Sequence, residues 1–241
     1  MEWTIETFIF ANVVLIISSI LQMATGVSVG MIIVPFLAMI SYTLVPVPVV
    51  FASLTLTMMM AYQGRAHIDK ENMLQVSIGM LLGIFVALYI FKTIEFEYLG
   101  VIFGSIILVS VFISIKVKDF KLTHKMNYSG GFVAGVMGAL AAVGGQVLAL
   151  LFQNHSLPSI KATLAFLYTI FSFVMLLVFY LADELSVGQI TSGFYLMPGF
   201  ILGFFVGPVF AKYFNPKYAK PVVLGMATFG ALALISKSLI I

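Results

Sequence analysis

Long apolar runs separated by short polar loops make up almost the whole of this chain. The first run, residues 7–41, is too long for one ordinary helix and is interrupted by Thr25-Gly26-Val27-Ser28-Val29-Gly30. Runs at 46–63, 73–91 and 98–115 follow, separated by loops that hold Arg65, His67, Asp69, Lys70 and Glu71, then Lys92, Glu95 and Glu97. The second half begins with a run at 130–152 that is broken at Gly144-Gly145-Gln146. Runs at 160–181 and 187–210 and a last one ending near Ile241 complete it. A helix crosses the hydrocarbon layer with about 20 mostly apolar residues. The pattern therefore predicts an all-α polytopic membrane protein with six plain spans and two longer, glycine-broken segments.

The most polar segment, 116–127, divides the chain almost in half, and the halves resemble one pattern used twice. Adding 120 to Gly79, Leu82, Gly83, Phe85, Val86, Lys92 and Tyr98 gives Gly199, Leu202, Gly203, Phe205, Val206, Lys212 and Tyr218. An offset of 110 places Pro48, Ala52 and Leu54 on Pro158, Ala162 and Leu164. The predicted organisation is a first repeat at 1–118, a basic cytoplasmic linker at 119–129 and a second repeat at 130–241. Each repeat has four helical segments and opens on a Gly-broken helix or helical hairpin. Internal repeats are a mark of secondary transporters.

Composition supports the membrane reading. Of 241 residues 62% are hydrophobic and 9% charged, against about 25% charged in a soluble domain. The chain has no cysteine, which excludes disulfides and thiolate chemistry. Residues 1–6 carry two acids and no base, unlike the basic start of a secretory signal, so the first apolar run is expected to stay in the mature protein. Basic residues favour the cytoplasmic side. If every run crosses once, seven of the 12 Lys and Arg lie inside and Lys212, Lys217 and Lys220 fall outside. If the two Gly-broken runs turn back as hairpins, ten lie inside and only Lys92 and Lys237 outside, with six of nine acids outside. The second arrangement fits better, and its odd number of crossings per half makes the repeats inverted. The expected location is the inner (plasma) membrane.

Candidate chemistry lies at the breaks. Glycine can interrupt a helix and let a solute approach the main chain. A half-helix that starts after a break points free N–H groups, with roughly +0.5 of charge, at whatever lies before it. The residues expected around a substrate are Gln22, Thr25, Gly26, Ser28 and Gly30 at the first break, Gly144, Gly145 and Gln146 at the second, and Ser53 and Thr163 on the following spans. Close helix packing is the competing reading for glycines spaced four apart, and it is the favoured one for Gly79/Gly83 and Gly199/Gly203/Gly207. A span hydroxyl bonded to its own helix backbone is likewise the ordinary case, and it is favoured for Ser53, Thr55, Thr57, Thr163 and Thr169 taken singly. Arg65 and Lys161 are placed at the cytoplasmic mouth, where anion attraction competes with headgroup anchoring. Acids fall in loops or at span ends, and no nucleophile–base spacing, metal motif or nucleotide loop stands out. The chain therefore reads as a non-enzyme without cofactor. His67 and His124 read as solvated loop residues, and His155, beside Asn154, as a minor candidate for proton movement.

The segment Gly26-Val-Ser-Val-Gly30-Met-Ile-Ile-Val-Pro35 resembles the first-repeat signature of the TauE/SafE sulfite exporter family. The segment Gly131-Phe-Val-Ala-Gly135-Val-Met-Gly138, continued through Val143-Gly144-Gly145, resembles its second-repeat signature. Arg65-Ala-His-Ile-Asp69 and Lys161-Ala-Thr163 after Pro158 also fit. The chain departs from the family pattern with Ser28 and Val29 in the first break, Gln146 where proline is common and Lys161 where arginine is common. What the resemblance implies is transport of small sulfur-containing anions such as sulfite or sulfonates. The expectation is a secondary transporter, an exporter, working by alternating access. An anion channel and a non-transporting membrane subunit of a larger complex are the alternatives. Expected partners are the small anionic substrate and the lipid bilayer, with no nucleic acid; a coupling ion, proton or sodium, and a homodimer stay open.

Overall fold

A computed structural model describes residues 3–25, 30–116, 123–211 and 216–240. Ten α-helices account for most of them: α1 (Ile5–Thr25), α2 (Gly30–Ile40), α3 (Val47–Gly64), α4 (Met73–Thr93), α5 (Leu99–Lys116), α6 (His124–Ala141), α7 (Gly145–Leu151), α8 (Leu157–Leu181), α9 (Val187–Ala211) and α10 (Pro216–Ile240). Among the described residues seven are long and apolar enough to cross a membrane, namely α1, α3, α4, α5, α8, α9 and α10. Each Gly-broken run has become a long helix and a short one, α1 with α2 and α6 with α7. Helix α6 is capped by Thr123, whose side chain accepts from Met126 N–H at 3.4 Å, so the predicted linker already contains its first turns.

Helices from one half pack on helices from the other. Helix α1 lies along α9, with Gly199 against Leu15, Gly203 against Ser19 and Gly207 against Met23. Helix α4 lies along α6, with Gly79 against Tyr128 and Gly83 against Phe132. In both pairs residue numbers rise together, so the helices run parallel. A Cβ on Gly79, Gly83, Gly199 or Gly203 would collide with its neighbour, and one on Gly207 would press on Met23, so close approach is the reason for glycine here. The matched positions of the two halves thus make matched contacts. Pro48 and Pro158 also match, each standing second in its helix, where a missing N–H costs nothing.

Helices α3 and α8 meet at the centre, with Gly64 against Ala162, and α5 packs antiparallel on α10, with Gly100 against Ser238 and Gly104 against Ala231. Two apolar clusters result. One is built from α1, α2, α5, α9 and α10 around Leu15, Phe103 and Phe200, the other from α4, α6, α7 and α8 around Phe152, Phe171 and Phe179. Helix α3 contributes to both. Large side chains such as Phe85, Phe112, Phe173, Phe205 and Phe229 are exposed on the outside, as a lipid-facing surface requires.

Helix α9 contains Pro198, which cannot donate to the helix ladder. The neighbouring pair, Gly199 N–H and Tyr195 C=O, is held by a side chain from α1. Asn12 Oδ1 accepts from Gly199 N at 2.6 Å, and Asn12 Nδ2 donates to Tyr195 O at 3.0 Å and to Phe8 O at 2.9 Å.

Candidate functional site

The second break is built differently from expectation. Helix α6 ends where Ala142 takes a left-handed conformation, φ 52°, and its N–H returns to Gly138 and Met137 carbonyls. Gly144 does not supply the reversal. It is needed because a Cβ there would strike the Ala134 backbone. Helix α7 then doubles back along α6, bringing Leu151 against Gly130, so α6 and α7 form a hairpin. The expectation of a helix break in this region holds, with the left-handed residue two positions earlier than the glycine pair.

The hairpin turn opens on a central cavity of about 60 Å³ between the two apolar clusters. It is lined by Gln22 of α1, Gly30 of α2, Ser53 and Thr57 of α3, and Gly144 and Gly145 at the start of α7. From α8 come Tyr168 and Ser172, one turn apart. Met80, Leu148, Phe171 and Phe200 supply apolar wall. Among the described residues no charged side chain lines it. The Tyr168 hydroxyl donates to Gly145 O at 3.5 Å, over the α7 entrance. Ser53 and Thr57 donate to the carbonyls of Val50 and Leu54 at 2.9 and 3.3 Å, the local bonding expected of span hydroxyls.

Five of the expected substrate residues therefore meet around one hollow: Gln22, Gly30, Ser53, Gly144 and Gly145. Gly26 and Ser28 lie outside the described residues. Thr25 is the last residue of α1 and donates to Leu21 O at 2.8 Å. Gln146 is buried one residue beyond the cavity-lining glycines. Thr163 is turned elsewhere, for its Oγ1 accepts the Asp69 N–H at 2.9 Å. Asp69 also pairs through its carboxylate with His155 Nε2. The α3–α4 loop is thereby pinned to both α8 and the α7–α8 turn. Sequence reasoning did not single out Tyr168 and Ser172. Their spacing of four, which puts both on one helix face, was the available signal.

Two further hollows lie at opposite ends of α8 and α9. One, of about 290 Å³, is lined by Gln63, His67, Lys161 and Pro208 together with Met23 and Met60. Met23 follows the cavity residue Gln22 in α1 and Met60 stands one turn after Thr57 in α3, and Lys161 stands in this hollow. Arg65 does not line it: its guanidinium lies 4.5 Å from the Tyr62 ring centroid and donates to Tyr62 O at 3.0 Å. The other, of about 410 Å³, is lined by Thr43, Asp183, Glu184, Ser186, Gln189 and Ser192. Among the described residues no group of three His, Asp or Glu side chains is placed to hold a metal ion.

No match was found among curated proteins or solved structures. A family profile does match, described as "Sulfite exporter TauE/SafE", over residues 11–234. That stretch runs from α1 to α10 and takes in both broken segments and the cavity they enclose. With a sequence matched over nearly its whole length, this helical bundle belongs to the sulfite exporter TauE/SafE family.

Proposed function

We propose that this protein carries a small organic or sulfur oxyanion across the membrane by alternating access, in the direction of export. The observation that carries the reading is the central cavity: a small hollow with a largely apolar wall and a few polar groups, free of charged side chains among the described residues, at the start of two half-helices. A short-lived anion in transit needs donors that hold it without trapping it. The donors on hand are the Gln22 amide, the Ser172 hydroxyl and the main chain at Gly144 and Gly145, while Lys161, in the hollow at the start of α8, attracts an anion to that end of the protein.

Alternating access needs two arrangements of one scaffold, and inverted repeats supply them. The reading of residues 1–118 and 130–241 as such repeats is supported by the matched glycine contacts of α1 with α9 and of α4 with α6. It is also supported by the equal placement of Pro48 and Pro158. The fixed central pair α3 and α8 would then serve as the axis around which the two breaks exchange exposure.

The experiment is flux of radiolabelled sulfite and short sulfonates in proteoliposomes, with Gln22→Leu and Ser172→Ala as cavity variants. Saturable uptake, reduced tenfold or more in Gln22→Leu without loss of folded protein, is the expected result. Absence of both flux and binding over a panel of small anions would overturn the reading. Single-channel currents would replace the carrier with a pore.

A further inference from the structure

The hydrogen bonding of the central cavity has a polarity that an anion alone does not use. A hydroxyl has one proton and two lone pairs. Ser53 and Thr57 give their protons to the carbonyls of their own helix, at 2.9 and 3.3 Å, and so offer lone pairs to the cavity they line one turn apart. Helix α6 ends at the same hollow, with Gly138 and Ala142 in its lining. The N–H groups of Ala142 and Val143 return to Gly138 and Met137, so the carbonyls of Ala139, Leu140 and Ala141, in the last turn of α6 just behind that lining, have no N–H partner within the helix. Such an end carries roughly −0.5 of charge. Lone pairs and a helix carbonyl end repel an anion and attract a cation.

We propose that Ser53 and Thr57 of α3, together with the carbonyl end of α6, form a binding site for a monovalent metal cation in the central cavity. The proposal rests on the anion reading in one respect: the cation offsets the charge of an anion held at the Gly144–Gly145 side, where no basic side chain among the described residues does so. The valence follows from the ligands. Divalent cations in all-protein sites draw on carboxylates, and neither Asp nor Glu is among the described residues lining the cavity. Neutral oxygens at a helix end suffice for an alkali cation, as in membrane carriers with broken helices. A water needs about 10–15 Å³ of such volume, so about 60 Å³ holds a bare cation beside a small anion.

The test is thermal unfolding of the detergent-purified protein, without transported anion, in sodium, potassium and N-methylglucamine salts of one inert anion at equal ionic strength. A midpoint about 5 °C higher in a saturating alkali cation than in N-methylglucamine is expected. The rise should vanish in the Ser53→Ala/Thr57→Val double variant and persist in Thr57→Ser. Equal midpoints in the three salts, or an alkali-specific rise that survives the double substitution, overturns the proposal. Should the double variant fail to fold, Ser53→Ala alone is titrated, and an apparent cation affinity unchanged from wild type counts against it. The measurement contains no transported anion, so a cation effect found together with absent anion flux would remove the carrier reading and leave the cation site standing.

Discussion

Asn12→Leu is the most informative single substitution in this fold. The side chain is 7% exposed and belongs to α1, yet it joins two backbone groups of α9 that an unbroken helix would pair with each other. Its orientation is forced, because Gly199 N–H can meet only the amide oxygen and the carbonyls of Tyr195 and Phe8 only the amide nitrogen. Leucine fills nearly the same space and offers no polar atom. Leaving a buried donor or acceptor without its partner costs about 1–3 kcal/mol. Gly199 N–H and Tyr195 C=O can still pair with each other within α9, so a net loss of about 2–4 kcal/mol is expected. For a chain of this size that corresponds to a midpoint lower by roughly 5–15 °C, read by thermal unfolding in detergent with size-exclusion homogeneity as the folding check. Pro198→Ala provides the control. If Pro198, which interrupts the ladder one residue before Gly199, is what makes α9 rely on Asn12, the double variant loses less than the sum of the two single losses. A midpoint for Asn12→Leu within about 1 °C of wild type, or strict additivity with Pro198→Ala, would refute the reasoning.

Three other outcomes follow from described contacts. Gly79→Ala and Gly203→Ala, whose new methyl groups meet Tyr128 and Ser19, should each lower unfolding stability by about 1–3 kcal/mol, while Gly225→Ala, with open space around it, should not. Lys161→Gln should raise the substrate concentration for half-maximal flux severalfold, with the effect fading at high salt, whereas Arg65→Gln, already turned onto Tyr62, should leave flux kinetics unchanged. Thr163→Val and Asp69→Asn should each cost about 1 kcal/mol of stability, and their double variant less than the sum, because both loosen the same loop.

Much of the architecture is legible in the chain because bilayer thickness fixes run length and leaves loops as the place for charge. The two broken runs, the matched glycines and the paired prolines are all visible as sequence. What they touch is not. Gly83 announces a close contact, but nothing local says that Phe132 lies opposite it. The reversal falls on Ala142, a residue without turn preference, because the Schellman-like bonding to Met137 and Gly138 and the contact of Gly144 with Ala134 fix it there. Thr163 reads as a cavity hydroxyl until the Asp69 main chain, 94 residues away, is found bonded to it. Tyr168 and Ser172 were open to detection by spacing alone. Asn12 was not, since its partners belong to a helix more than 180 residues later in the chain.

That distance bears on how the protein is made. Helix α1 presents Asn12, Ser18, Ser19 and Gln22 on the side it buries, and the helix that covers much of that side, α9, begins at Val187. At about 5–20 residues per second of synthesis, the polar stripe of α1 waits some 10–40 s for its cover. Through that interval it cannot face bare acyl chains at low cost. The early helices must be sheltered at the insertion machinery or pair provisionally with one another, and slowing translation between α5 and α9 should lengthen the window in which the nascent chain is open to degradation.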